Sequence, residues 1–411
     1  WAYACMFAKI WRISQITGVK SYKGSFGGSN KAPGAIREAY RQHGVRTFSL
    51  DSVEELEKIV EACRDDAGEA AQDLRLCVRL RVSSEYSELS LASKFGCDLT
   101  EAPALLQQAR QHADWLGVCF HVGSQAMTPF AYVQALERVR IAIGEASVVI
   151  DMIDVGGGFP SVYPGMEPPP LEDYFQIIHQ NFYNLPIAYN AELWCEPGRA
   201  LCAEYSSLIV KVEKRRGEEL YINDGAYGAL FDAAHVDWKF PVRALEDDLI
   251  KPDMDFAFYG PTCDDADYMQ GPFVLPEDIQ AGDYIEIGML GAYGAAMKTD
   301  FNGFGAADCV LWMDEDGTPR MTCSGERPAG GARPPAARYG PHRASVGTHG
   351  GAESTGPTPA TRPPRLQFGA CHAELWLQPS ADHNGKSAAN CARAAARSRS
   401  TAGERPAGAA G

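Results

Sequence analysis

Along residues 35–185 the apolar positions recur in two rhythms. Stretches with apolar residues three or four apart (36–43, 53–63, 104–113 and 131–143) predict amphipathic helices. Between them lie short apolar runs rich in Val, Ile, Leu and Cys (76–82, 116–121, 148–155), which predict strands buried on both faces. Strand alternating with helix implies a parallel sheet with helical crossovers, either a closed barrel or an open doubly wound sheet. After Glu196 the rhythm becomes short strands broken by Gly, Pro and Asp (207–212, 219–222, 256–259, 284–287), which predicts a second, mostly antiparallel β domain. Four segments are therefore expected. Residues 1–34 form a truncated or aberrant N-terminal stretch, 35–204 the α/β domain, 205–323 the β domain, and 324–411 a disordered tail dominated by Pro, Gly, Ala, Arg and Ser.

At 411 residues the chain is long enough for two cores. Its formal charge of −15 argues against nucleic acid or an anionic membrane surface as partner. Residues 325–411 hold 11 Lys/Arg against 5 Asp/Glu, which leaves −21 on residues 1–324 and suits a cationic ligand. The twelve cysteines are scattered, with no C-x-x-C pair and no zinc spacing, so no metal is expected and a reducing, cytoplasmic setting is. Cys77, Cys119 and Cys195 sit in apolar runs and read as small buried hydrophobes. No run approaches the ~20 apolar residues of a spanning helix.

Four ordered strings carry the chemistry: HVGSQ from His121, DVGGGFP from Asp154, EPGRA from Glu196 and GPTCDD from Gly260. Gly156, Gly157 and Gly158 follow an apolar run, where bare backbone N–H groups can cradle a phosphate. Ser124 is expected to end another strand and is a second phosphate candidate. His121 closes its strand and points to the same mouth, placed to stack on an aromatic ring. Glu196 leaves an apolar strand and needs a cation, which a protonated pyridine nitrogen or Arg199 would supply. Cys263, flanked by polar turn residues and followed by Asp264, Asp265 and Asp267, is the cysteine expected to be exposed and reactive.

With a fifth string, GAYGAAMKTDFNGF from Gly291, these residues resemble the alanine-racemase-like (fold type III) family of pyridoxal-phosphate decarboxylases acting on basic amino acids, over residues 36–304. The resemblance implies a parallel (β/α)8 TIM-like barrel, a β-sandwich-like second domain, and a homodimer with shared active sites. Pyridoxal 5′-phosphate would be held by Arg79, Ser124, Gly156, Gly157, Gly158, Glu196, Arg199 and Tyr293. His121 would stack on its ring, and Lys31 would anchor it covalently, with Lys20 and Lys23 as alternatives. Cys263 would return a proton to Cα, while Asp232 and Asp264 would meet the substrate amine. Lys94 would bridge Asp267 of the neighbouring subunit. The implied activity is decarboxylation of ornithine or lysine to a diamine and CO2, in polyamine biosynthesis. Diaminopimelate decarboxylation is one alternative, and a non-catalytic or truncated homologue is the other. The string around Lys31, SNKAPGAI, departs from the family pattern because no apolar strand precedes the lysine.

Overall fold

The computed structural model describes residues 25–304 except 188 and 247, together with the backbone of three later strands. Its first sheet has six parallel strands: β1 (Ser25–Phe26), β2 (Thr47–Leu50), β3 (Arg75–Arg79), β5 (Trp115–Cys119), β7 (Met152–Asp154) and β8 (Glu192–Trp194). They neighbour one another in chain order, while β4 (Ser87–Leu89) and β6 (Ser124–Ala126) pair in a separate two-stranded ribbon. A doubly wound sheet reverses its strand order at a switch point. Sequential order does not, and it is the order in which a barrel is wound. Six of the eight barrel strands thus lie among the described residues.

Five helices make the crossovers: α1 (Pro33–His43), α2 (Val53–Ala62), α3 (Ala102–Arg110), α4 (Phe130–Ala146) and α5 (Leu171–Tyr183). Local chemistry sets their ends. Pro33 opens α1, and Gly44 stops it in the left-handed region at φ 66°. The Ser52 hydroxyl caps α2 by accepting the Glu55 N–H at 3.3 Å. Helix α5 escapes the sequence reading, although Tyr174, Ile178 and Phe182 bury one face of it at helical spacing.

Two buried apolar clusters result. The first gathers residues 36–185, with Phe48, Phe120, Tyr132, Phe159 and Tyr174 at its centre. The second gathers residues 203–290 around a nine-stranded, mostly antiparallel sheet ordered β13-β12-β10-β9-β16-β15-β17, with β14 joined to β9 and β11 to β14. Its strands are β9 (Ser206–Arg216), β10 (Glu219–Ile222), β11 (Val242–Ala244), β12 (Asp253–Tyr259), β13 (Tyr268–Pro276), β14 (Tyr284–Ile287), β15 (Ala307–Met313), β16 (Pro319–Gly325) and β17 (Arg343–Ser345). Strand β9 buries Ser206, Leu208, Val210 and Val212 in strict alternation. Tyr163, from the loop after β7, belongs to the second cluster and ties the two together. Apart from β16 and β17, the tail expected to be disordered lies outside the described residues, as do Lys20 and Lys23.

Candidate active site

In a parallel barrel the carboxyl ends of all strands open on one face. Arg79 ends β3, Asp154 ends β7, His121 lies two residues past β5, and Glu196 lies two past β8. The topology therefore gathers at one mouth residues that are 117 positions apart in the chain.

The glycine turn is the centre of that mouth. Gly156 and Gly158 adopt φ of 67° and 106°, which glycine tolerates and other residues rarely do. A Cβ on Gly156 would lie 2.0 Å from the Phe120 carbonyl oxygen, and one on Gly158 2.5 Å from that of Gly123. Three successive carbonyls of the turn are engaged. Gly156 O accepts the Glu196 N–H at 2.7 Å, Gly157 O the Tyr132 hydroxyl at 3.0 Å, and Gly158 O the Ala126 N–H at 2.8 Å. In a trans peptide the N–H points opposite to the carbonyl. The N–H groups of Gly157, Gly158 and Phe159 therefore face away from those acceptors, and no partner for them stands among the described residues. Three adjacent bare donors form a cup for an anion, and the donor set fits a phosphate.

Beside the cup, His121 Nδ1 accepts the Gly123 N–H at 3.1 Å. Enclosure by the surrounding protein, and secondarily the Arg79 charge, lowers the His121 pKa to about 4. The ring is thus neutral at pH 7, and with Nδ1 as acceptor its proton sits on Nε2. Glu196 opens to solvent at the mouth while packed protein on its other sides pushes its carboxyl up; Arg79 pulls it back down. Asp154 is buried, and its Oδ1 accepts the Gly156 N–H at 2.9 Å. Burial first, and the nearby Glu196 charge second, push Asp154 up to about 7. Asp154 and Glu196 are neighbouring carboxyls and Arg79 acts on Glu196, so the pair can accept a further cation and a protonated ring nitrogen fits this site.

Arg199, 4% exposed, forms the other wall. Its Nη1 donates to the Tyr163 hydroxyl at 3.1 Å and to Ala292 O at 3.0 Å; its Nε reaches Ser124 Oγ at 3.4 Å. Asp232 Oδ2 stands 3.7 Å from Nη2, and burial raises the Asp232 carboxyl against the pull of Arg199. The guanidinium lies over Trp238 at 4.4 Å and near the Tyr293 ring at 5.3 Å. The expected contacts Ser124, Arg199, Asp232 and Tyr293 are thus brought together. Asp154, Tyr163 and Trp238 were missed by sequence reasoning. Asp154, two positions before Gly156, was the one that carried a signal.

Two groups of expected residues make no described contact with the glycine turn. Cys263 is exposed, with its N–H donating to Asn302 Oδ1 at 3.2 Å. Asp264 accepts the Tyr227 hydroxyl at 2.5 Å, and that bond holds its carboxyl below the usual range. This loop makes no described contact with the glycine turn or Glu196 of its own chain. Lys31 sits after β1 with its side chain 1% exposed, and its Nζ reaches Gly28 O at 2.7 Å, Ser49 O at 2.6 Å and Glu55 Oε1 at 2.7 Å. Burial lowers its pKa, the direction a covalent anchor needs, while Glu55 opposes that shift. Here three acceptors hold the ammonium, one for each of its donors. Asp267 has partners within its own loop. At 1% exposure it accepts the Ala226 N–H at 2.7 Å and both the N–H and hydroxyl of Thr262, so it is folded into its own loop.

Residues 12–203 match the family model described as pyridoxal-dependent decarboxylase, pyridoxal binding domain. A lysine/ornithine decarboxylase of Selenomonas ruminantium is 30% identical over 288 residues, covering 68% of this chain and 69% of that protein. Antizyme inhibitor 2 of Xenopus laevis is 29% identical over 296 residues, covering 64% and 60%. The crystal structure of the arginine decarboxylase of Paramecium bursaria Chlorella virus superposes with a TM-score of 0.63 at 27% identity, covering 74% of this chain and 80% of that one. The chain spans 60–69% of the length of these two curated relatives.

Proposed function

This chain belongs to the pyridoxal-dependent decarboxylase family, and we propose that it removes CO2 from a basic amino acid, ornithine or lysine, to leave a diamine. The observation that carries this reading is the glycine cup set beside the Asp154, Glu196 and Arg79 cluster. Pyridoxal phosphate, when bound, supplies an electron sink for the pair left on Cα as CO2 departs. The chain's residues do the rest. Gly157, Gly158 and Phe159 would hold the phosphate with Ser124 and Arg199. His121, neutral, would meet the ring without adding charge. Glu196 would keep the ring nitrogen protonated, with Asp154 buried beside it.

The acidic residues Asp232 and Asp264 suit a distal ammonium better than the extra carboxylate of diaminopimelate. Because the Cys263–Asp264 loop makes no described contact with its own cup, it is assigned to the cup of a second copy, with Cys263 as proton donor to Cα. Incubation with ornithine, lysine and diaminopimelate, followed by analysis of CO2 and amine, tests the reading. Putrescine or cadaverine is expected; CO2 from diaminopimelate alone would overturn the substrate assignment.

The engagement of Lys31 favours one second reading, a homologue that keeps the cup but not the chemistry. Borohydride reduction with pyridoxal phosphate bound, followed by peptide mapping, separates the two. A label on Lys31, Lys20 or Lys23 supports the enzyme, and absence of any label supports the non-catalytic homologue.

A further inference from the structure

We infer that Trp238 is a positioning residue for the phosphate-binding arginine, acting through the face of the Arg199 guanidinium. The inference rests on the cofactor reading above and goes beyond it, because Trp238 lies outside every motif that marks the cup. Three observations carry it.

The first is geometric. Hydrogen bonds to Tyr163, Ala292 and Ser124 hold the edges of the Arg199 guanidinium, and edge contacts alone leave the plane free to tilt. The Trp238 indole lies 4.4 Å from the guanidinium carbon and closes one face. A planar guanidinium stacks on an aromatic face in a way an ammonium does not. With face and edges fixed, the Nη2 donors are directed; their described contact is Asp232, at 3.7 Å.

The second is the anchoring of the ring itself. Trp238 is 2% exposed and meets Tyr163 edge-to-face, with centroids 5.2 Å apart at 90°. Tyr163 also packs against Phe240 at 5.9 Å, so the indole is set by the second cluster while the arginine serves the barrel mouth. The third is negative and sharpens the prediction. The Trp238 Nε1–H has no hydrogen-bond partner among the described residues. Stacking is therefore the ring's contribution, and a phenyl ring should replace it.

The test is equilibrium binding to the full-length apoprotein, using pyridoxal 5′-phosphate and, separately, pyridoxal, which lacks the phosphate. Trp238→Leu is expected to weaken pyridoxal phosphate roughly tenfold and to leave pyridoxal within about twofold; Trp238→Phe should bind both like the parent. Arg199→Lys, which keeps charge but loses the plane, should match Trp238→Leu, and the double variant should be no worse than either alone. Equal weakening of both ligands, or no weakening of either, overturns the inference. If Trp238→Leu does not fold, Arg199→Lys and Trp238→Phe decide it: undiminished binding in the first, or a loss in the second confined to pyridoxal phosphate, overturns it too. Failure of the parent protein to bind pyridoxal phosphate at all would instead refute the cofactor reading.

Discussion

Lys31 and Arg199 are both buried cations at strand ends, and they are used in opposite ways. The Lys31 ammonium meets Glu55 and two carbonyl oxygens, so each of its donors has a partner within the scaffold. Arg199 has five N–H groups, and its bonds to Tyr163, Ala292 and Ser124 leave Nη2 facing only Asp232 at 3.7 Å. One cation closes structure and the other holds donors in reserve for an anion. A basic residue near a site is thus diagnosed by its remaining hydrogen-bond capacity more than by its burial.

The largest effect that would break this contrast is on stability. Lys31→Met leaves Glu55 buried with only the Lys58 ammonium beside it, and should destabilise the fold by about 3 kcal/mol in denaturant titration. Adding Glu55→Leu should recover most of the loss, since an apolar pair of similar volume replaces a buried ion pair at little cost. A Lys31→Met protein as stable as the parent would remove the structural role.

A smaller effect sharpens the description of the cup. Asp154 has an ordinary pKa of 3.8 in the unfolded chain and about 7 in the fold. The folded state therefore keeps a proton that the unfolded state releases between those values. Stability from this group is full below pH 4, falls as pH rises through 7, and stays low above it. His121, with about 4 in the fold against 6.5 unfolded, works the other way and loses stability as pH falls from 6.5 to 4. Asp154→Asn keeps an oxygen for the Gly156 N–H and removes the first effect alone. Relative to the parent apoprotein it should gain on the order of 1–2 kcal/mol between pH 5 and pH 8, read as a rising difference in melting temperature. A pH-independent difference would show that Asp154 does not hold the proton.

Much of this was legible in the chain because the signals were local. Apolar runs ending in Asp154-Val155-Gly156-Gly157-Gly158 and in His121 mark strand ends whatever the tertiary structure does, and the shift of rhythm after Glu196 marks a second kind of packing. What escaped depends on distant partners. Glu55 is 24 positions from Lys31, so the ion pair that holds Lys31 in the fold could not be read from the spacing of the lysine alone. Asp154 gains its meaning from Glu196, which follows β8. Trp238 sits in a stretch with no periodicity, and only the packing of Tyr163 into the second cluster brings it over Arg199. Asp267 reads as one of three solvated aspartates, yet its carboxylate closes its own loop by accepting two N–H groups and a hydroxyl.

The contrast between the two cations is tested most directly by titrating pyridoxal 5′-phosphate into the apo forms of the parent, Lys31→Met with Glu55→Leu, and Arg199→Met. Arg199→Met is expected to lose affinity on the order of 100-fold, as removal of a charged partner from an enclosed phosphate does, while the double variant stays within about threefold of the parent. Loss of binding in the double variant with retention in Arg199→Met would contradict the account and return Lys31 to the cofactor site.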